Sequence, residues 1–172
     1  MQDLLNMVLG DRNSDAVEQI GKKFNLGTQE TTRALQHLLP SLQQGMHQNS
    51  QQQNGMEALQ RALSDGRNEQ YIEKPERIVE QGAVDNGNAI LGHLLGSKNT
   101  SRKVAEQAAN QTGFDSGVLK QMLPLAANLL MGSLSKETQS QDEERSFLHQ
   151  VLDMDNDNSV LDDAAGIIGK LF

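Results

Sequence analysis

The residues with the clearest capacity for chemistry stand close together, in the run DMDNDNSVLDDAAG at 153–166. Asp153, Asp155, Asp157 and Ser159 occupy alternate positions, which in an EF-hand-type loop are positions 1, 3, 5 and 7. That alternation wraps hard oxygen ligands around one calcium ion, with position 7 contributing its backbone carbonyl. Val160, at position 8, is apolar, as a residue pinning such a loop to a core should be. Two positions depart from the pattern. Asn158 stands where glycine makes the sharp turn, although Asn tolerates the left-handed region better than most residues. Ala164 stands where a bidentate Glu closes the cage, and Asp162 and Asp163 fall one or two places early on a shorter side chain.

A second reading of the same run needs no ion. Ser159 and Asp162 form an S-x-x-D capping box before an apolar stretch, and Asp162 and Asp163 suit a helix N-terminus. Capping alone does not call for Asp153, Asp155 and Asp157 in strict alternation, and like charges about 4 Å apart repel by about 1 kcal/mol per pair in water. Both readings stand: a weak calcium loop over 153–163, or a capped acidic turn. Calcium is the one cofactor expected, and magnesium fits an all-protein cage of this kind less well.

Enzyme chemistry finds little support, so a non-catalytic protein is expected. His37, His47, His93 and His149 are scattered, without H-E-x-x-H or H-x-x-H spacing. His93, in LGHLLG, reads as a packed or capping residue. No glycine-rich phosphate loop and no G-x-S-x-G occurs, and the chain has no Cys to act as nucleophile or thiolate ligand. Residues 104–122 carry Ala109, Gly113, Leu119 and Met122 at helix-turn-helix positions. The second helix would open on Asp115, Ser116 and Gly117, with only Lys120 and Gln121 to reach base edges. DNA reading is therefore the alternative function, and nucleic acid is not the favoured partner.

Charge and composition bound the rest. The net charge is −8, and residues 137–172 carry −7 of it, from nine acids against Arg145 and Lys170. An acidic balance opposes general phosphate binding and places the negative field at the C-terminal end. Aromatics are 3%, with no Trp and a single Tyr71, so Leu, Ile, Val, Ala and Met must form the core. The first residues lack a basic region and a long apolar run, which together with zero Cys leads to an expected cytoplasmic location.

The elements that position these groups read as helices nearly throughout, since apolar residues recur at three and four and strand alternation is absent. A short opening helix stops at Gly10, Ser14 caps the next, and Thr28 caps a longer one. The polar run 43–54 reads in its later part as a linker, and NEQYIEK (68–74) as irregular before Pro75 opens a helix. NAILGHLLG is a short apolar helix ending at Gly96; Asn99 or Thr100 caps the next, Gly113 ends it, and Asp115 caps a buried helix over 116–134. That helix is interrupted by Lys120, Gln121, Pro124 and Asn128, so a core helix, kinked or broken before Pro124, is expected rather than a membrane span, with Met122 and Met131 as core fillers. Ser140 and Glu143 form a capping box for a later helix.

A weak internal repeat relates VEQIGKKF…LQHLLPSLQQGM to AEQAANQT…LKQMLPLAANLL, with Leu35, Leu38, Leu39 and Pro40 matching Leu119, Met122, Leu123 and Pro124. The spacers differ by four residues, about one helical turn. Chance likeness between Leu-rich helices would explain the match equally well. The expected architecture is all-α: two weakly repeated helix-pair halves, 1–65 and 66–136, plus an acidic helix-loop-helix at 137–172.

Three stretches, GNAILGHLLGSK, AEQAANQTGFDSGVLKQMLPLAANLLMGSLSK and DMDNDNSVLDDAAGIIGKLF, together resemble the bacterial domain-of-unknown-function 937 family, related to YidB-like proteins. The resemblance implies a multihelical bacterial protein with no assigned catalytic residue. Similar members end in a run like D-x-D-G-D-G-S-V-x-D-D, where this chain has Asn156 and Asn158 in place of the glycines. The functional expectation is binding or assembly, with a protein partner or a second copy, resting on the Leu/Met-rich second half and the missing catalytic signals.

Overall fold

The computed structural model describes residues 2–64 and 67–137. It is all-helical, with no strand among the described residues. The order is α1 (Gln2–Leu9), a 3-10 turn at Asp11–Asn13, α2 (Ser14–Phe24), α3 (Thr28–Ser50) and α4 (Gly55–Ser64). A 3-10 turn at Arg67–Glu69, α5 (Gln70–Glu73) and a 3-10 turn at Pro75–Val79 follow, then α6 (Gln81–Leu94), α7 (Lys98–Thr112) and α8 (Ser116–Glu137).

Helix α8 lies at the centre and touches each of the other seven helices. Every residue from Met122 to Ser135 is buried, on all sides of the helix. A helix apolar all round is stable only when surrounded, and each fully buried Leu or Met side chain contributes about 1.5–3 kcal/mol. That burial also explains why α8 is unbroken at Pro124, where a kink or a break is expected from the sequence. The missing hydrogen bond and ring clash of an interior proline cost about 3 kcal/mol, which the surrounding contacts outweigh. Met122 and Met131 are core residues, as expected. No helix among the described residues is long and apolar enough to cross a membrane.

The sequence repeat corresponds to two helical hairpins, α2–α3 and α7–α8. In each, the first helix ends on a left-handed residue, Asn25 (φ 62°) or Gly113 (φ 82°). A second, long helix of 23 or 22 residues carries an interior proline. Glu18-Gln19 and Glu106-Gln107 stand equally far before these turns, so the four extra residues lie in the first part of α3 as one added turn. Leu35, Leu38 and Leu39 are as fully buried as Leu119, Met122 and Leu123. The hairpins pack together through α3 against α7 and α8, with His37 Nδ1 3.0 Å from Gln111 Oε1 and the Arg33 guanidinium 5.8 Å from the centre of the Phe114 ring.

Several local expectations are corrected. The 3-10 turn at Asp11–Asn13 leads directly into α2, so Ser14 is its first residue and not a side-chain cap. Gly27, not Thr28, caps α3; the Glu30 carboxylate accepts from the Gly27 N–H at 3.1 Å. Helix α3 continues to Ser50 because Gln43, Gly45 and Met46 are buried, leaving 51–54 as the exposed connection. NEQYIEK is helical, since Tyr71 and Ile72 are drawn into the core. Pro75 does open a helical segment, but of the 3-10 type. Helix α6 begins seven residues before Asn88, at Gln81. Ser97, not Asn99 or Thr100, caps α7, its Oγ accepting from the Thr100 N–H at 3.2 Å. The expected cap at Asp115 is present, with Oδ2 3.1 Å from the Val118 N–H.

Burial pushes the Tyr71 phenol above its ordinary value; Glu80 adds to the shift, and Arg67 and Arg77 oppose it. The neutral phenol is thus favoured by folding. Its contribution to stability is complete below the unfolded pKa of about 10 and is lost as pH rises through the folded value. Tyr71 is the sole tyrosine and Trp is absent, so ultraviolet titration reads one group. The folded protein should ionise at higher pH than the same chain in denaturant; coincident curves would contradict the burial.

Candidate functional site

Three polar side chains on the buried face of α8 reach its covering elements. Asn128 donates to the Ala83 carbonyl at 2.7 Å and accepts from Asn86 Nδ2 at 2.8 Å, while Asn86 also donates to Asn68 Oδ1 at 2.7 Å. Ser133 Oγ accepts from Asn13 Nδ2 at 2.8 Å, and Ser135 Oγ lies 2.8 Å from the Leu63 carbonyl. Each of these groups is occupied by another part of the fold. Their role is to fix how the covering elements sit on α8.

The region open to a ligand is different. A groove of about 570 Å³ runs between the end of α6, the start of α7 and the start of α8. Asn88, Leu91 and Gly92 come from α6, Gly96 and Ser97 from the turn, Lys98 and Ser101 from α7, and Lys120 from α8. The fold creates the concavity in three ways. Gly96 takes a left-handed conformation (φ 81°), which lets α6 turn directly into α7. Gly92 and Gly96 present no side chain, and a Cβ at either would meet nothing within 4 Å. Leu91, 6% exposed, forms an apolar floor.

The electrostatics are one-sided. The groove places two ammonium groups, two hydroxyls and the positive end of the α7 dipole around one opening. Lys98 and Lys120 are exposed and have no ion pair among the described residues. Arg102 and Lys103 stand on the same first turns of α7. Residues 86–136 carry net +3, whereas 1–85 carry −4 and 137–172 carry −7. No carboxylate, imidazole or thiol lines the groove, and its two lysines give it a way to hold an anionic group.

The sequence-expected metal set, Asp153, Asp155, Asp157, Ser159, Asp162 and Asp163, lies outside the described residues, as does the Ser140–Glu143 capping pair. Among the described residues no three His, Cys, Asp or Glu side chains stand together as a metal site. The helix-turn-helix alternative would use α8 as its recognition helix; α8 is buried from Met122 to Ser135 and exposes Asp115, Ser116, Gly117, Lys120 and Gln121 at its start. His93 is exposed rather than packed, while its carbonyl accepts from Asn49 Nδ2 at 2.8 Å.

Of the groove residues, sequence reading singles out only Gly96, as a helix end, and Lys120. One signal was present: KNTSRK at 98–103 is a basic run in an acidic chain. In the described part of the Leu/Met-rich second half, Ile90, Leu95, Val104, Phe114 and Val118 are partly buried and the remaining Leu and Met residues are buried. Among the residues whose exposure is described, no Leu, Ile, Val, Met or Phe is fully exposed.

The fold and groove define a multihelical protein organised around one buried helix, with a cationic, carboxylate-free opening at one end. The chain belongs to the family described as bacterial protein of unknown function (DUF937), whose model matches residues 6–137. No curated protein and no solved structure matches the chain.

Proposed function

We propose that this protein is a non-catalytic binding and assembly protein, and that the groove between α6, α7 and α8 takes an acidic segment of a protein partner. One observation carries the reading: Lys98, Lys120, Ser97 and Ser101 converge on an opening that contains no acid. The groove has an apolar floor at Leu91 and glycine walls, which suits a segment mixing carboxylates with small or apolar side chains. The test is fluorescence polarisation of a labelled decaglutamate peptide with the full-length chain at low salt. Lys98→Glu combined with Lys120→Glu should weaken binding about tenfold or more, because each reversal replaces attraction by repulsion. Lys22→Glu combined with Lys74→Glu, on other surfaces, should change it by less than about twofold. Equal losses from both pairs would reduce the groove to general surface charge.

The alternating carboxylates at 153–163 carry a second proposal, a weak calcium site. The Ala164 position, without the closing Glu, points to affinity in the 10⁻⁴–10⁻³ M range, roughly that of the weakest loops of this type. Calorimetry with millimolar calcium should give a binding heat that disappears in Asp153→Asn/Asp155→Asn. Absence of heat in the parent chain, with melting unchanged by chelator, would leave those residues as a capped turn.

A further inference from the structure

We infer that the groove is occupied by the acidic stretch 153–163 of the same chain, which docks on Lys98 and Lys120 and must be displaced by any acidic partner. The inference rests on the groove being an acidic-segment site and names its resident occupant. Charge complementarity is the first argument. Residues 137–172 hold −7, residues 86–136 hold +3, and two lysines of that positive part, Lys98 and Lys120, line one opening and have no ion pair among the described residues.

Reach is the second. Lys120 and Glu137 are both on α8, 17 residues apart, or about 26 Å along the helix axis. Asp153 follows Glu137 by 16 positions, a reach of up to about 55 Å for an extended chain and about 30 Å with the expected helix from Ser140. Either reach exceeds the length of α8 back to Lys120. Composition is the third. The stretch interleaves Asp153, Asp155, Asp157, Asp162 and Asp163 with Met154, Val160 and Leu161, matching an opening with two ammonium groups and an apolar floor. Tethering supplies an effective concentration in the millimolar range, enough for a contact that would be weak between separate molecules.

Zero-length carbodiimide cross-linking of the full-length chain, in chelator and at low salt, tests this. Peptide mapping should join Lys98 or Lys120 to an acid within 153–163. In a mixture of isotopically light and heavy chains these links should join peptides of the same label, and they should be lost in 0.5 M salt, where screening shortens to about 4 Å. Links spread evenly over Lys22, Lys23 and Lys74, or formed mainly between light and heavy chains, would overturn the inference.

A second measurement separates it from the groove reading. In Asp153→Asn/Asp155→Asn/Asp157→Asn, the decaglutamate peptide should bind about five- to tenfold more tightly than to the parent, because its competitor is weakened. Equal affinities would remove the occupant and leave the groove intact. Loss of sensitivity to Lys98→Glu/Lys120→Glu in that same triple variant would remove the groove itself.

Discussion

Gly87→Ala is expected to destabilise the protein by about 4 kcal/mol or more, although alanine is the better helix former. Gly87 is buried on α6 where that helix crosses α8, and an added Cβ would overlap the carbonyl oxygen of Pro124. The obstacle is backbone, flanked by the Pro124 carbonyl carbon and Cα, so no side chain can rotate out of the way. Relief requires moving α6 off the central helix, at the most extensive helix–helix contact in the fold. Overpacking of this kind costs about 1–3 kcal/mol when side chains can yield, and 4 kcal/mol or more is expected where they cannot. Against that, removing glycine from a helix gains only about 0.5–1 kcal/mol. Gly92→Ala, in the same helix with open space around its Cβ, isolates the second effect. It should stabilise by about 0.5–1 kcal/mol, roughly 1–4 °C in Tm for a chain of this size. Urea denaturation followed by circular dichroism at 222 nm measures both variants. Gly87→Ala within 1 kcal/mol of the parent would mean that the crossing is looser than described.

Asn128→Asp tests the polar contact on α8 with almost no change of shape. The parent side chain is fully buried, donates to the Ala83 carbonyl and accepts from Asn86. A carboxylate keeps the acceptor but loses the donor, and sets an ionised oxygen against a carbonyl oxygen. The expected loss at pH 7 is about 3–5 kcal/mol, the range for an uncompensated buried charge. Burial and the facing carbonyl both favour the protonated acid, so its folded pKa lies above the unfolded value of about 3.9. Stability relative to the parent is therefore greatest below that value. It falls by up to about 1.4 kcal/mol per pH unit as pH rises toward the folded pKa, where the loss levels off. Denaturation midpoints of variant and parent at several pH values should converge toward acid; a gap independent of pH would show that the carboxylate reaches water.

These two sites show what could and could not be read from the chain. Gly87 was visible only as part of GNAILGHLLGSK, and nothing in that string says that its α-carbon faces a proline 37 residues away. Asn128 stood out as a polar interruption of an apolar run, but its partners come from elements more than 40 residues distant. NEQYIEK looked irregular because local propensity is weak there; Tyr71 and Ile72 become helical through contact with the core. The groove was illegible for the same reason. Lys98 and Lys120 are 22 residues apart, and only the return of the chain through α7 brings them to one opening.

What the sequence by itself determined is whatever depends on near neighbours. Helical periodicity, the stop at Gly113 and the cap at Asp115 arise from contacts within about four residues or from the pattern of one helix face. The acidic character of 137–172 belongs here too, since charge adds along a chain without reference to its path. Only the tertiary structure decided that α8 is the central helix and that its proline does not break it. It also placed Leu119, Met122, Met131 and their described neighbours on α8 in the core, and drew residues from 88–92, 96–101 and Lys120 into one cationic groove. Burial and electrostatic convergence are properties of surfaces in three dimensions. They are set by which residues the chain brings back together, and no run of adjacent letters encodes that alone.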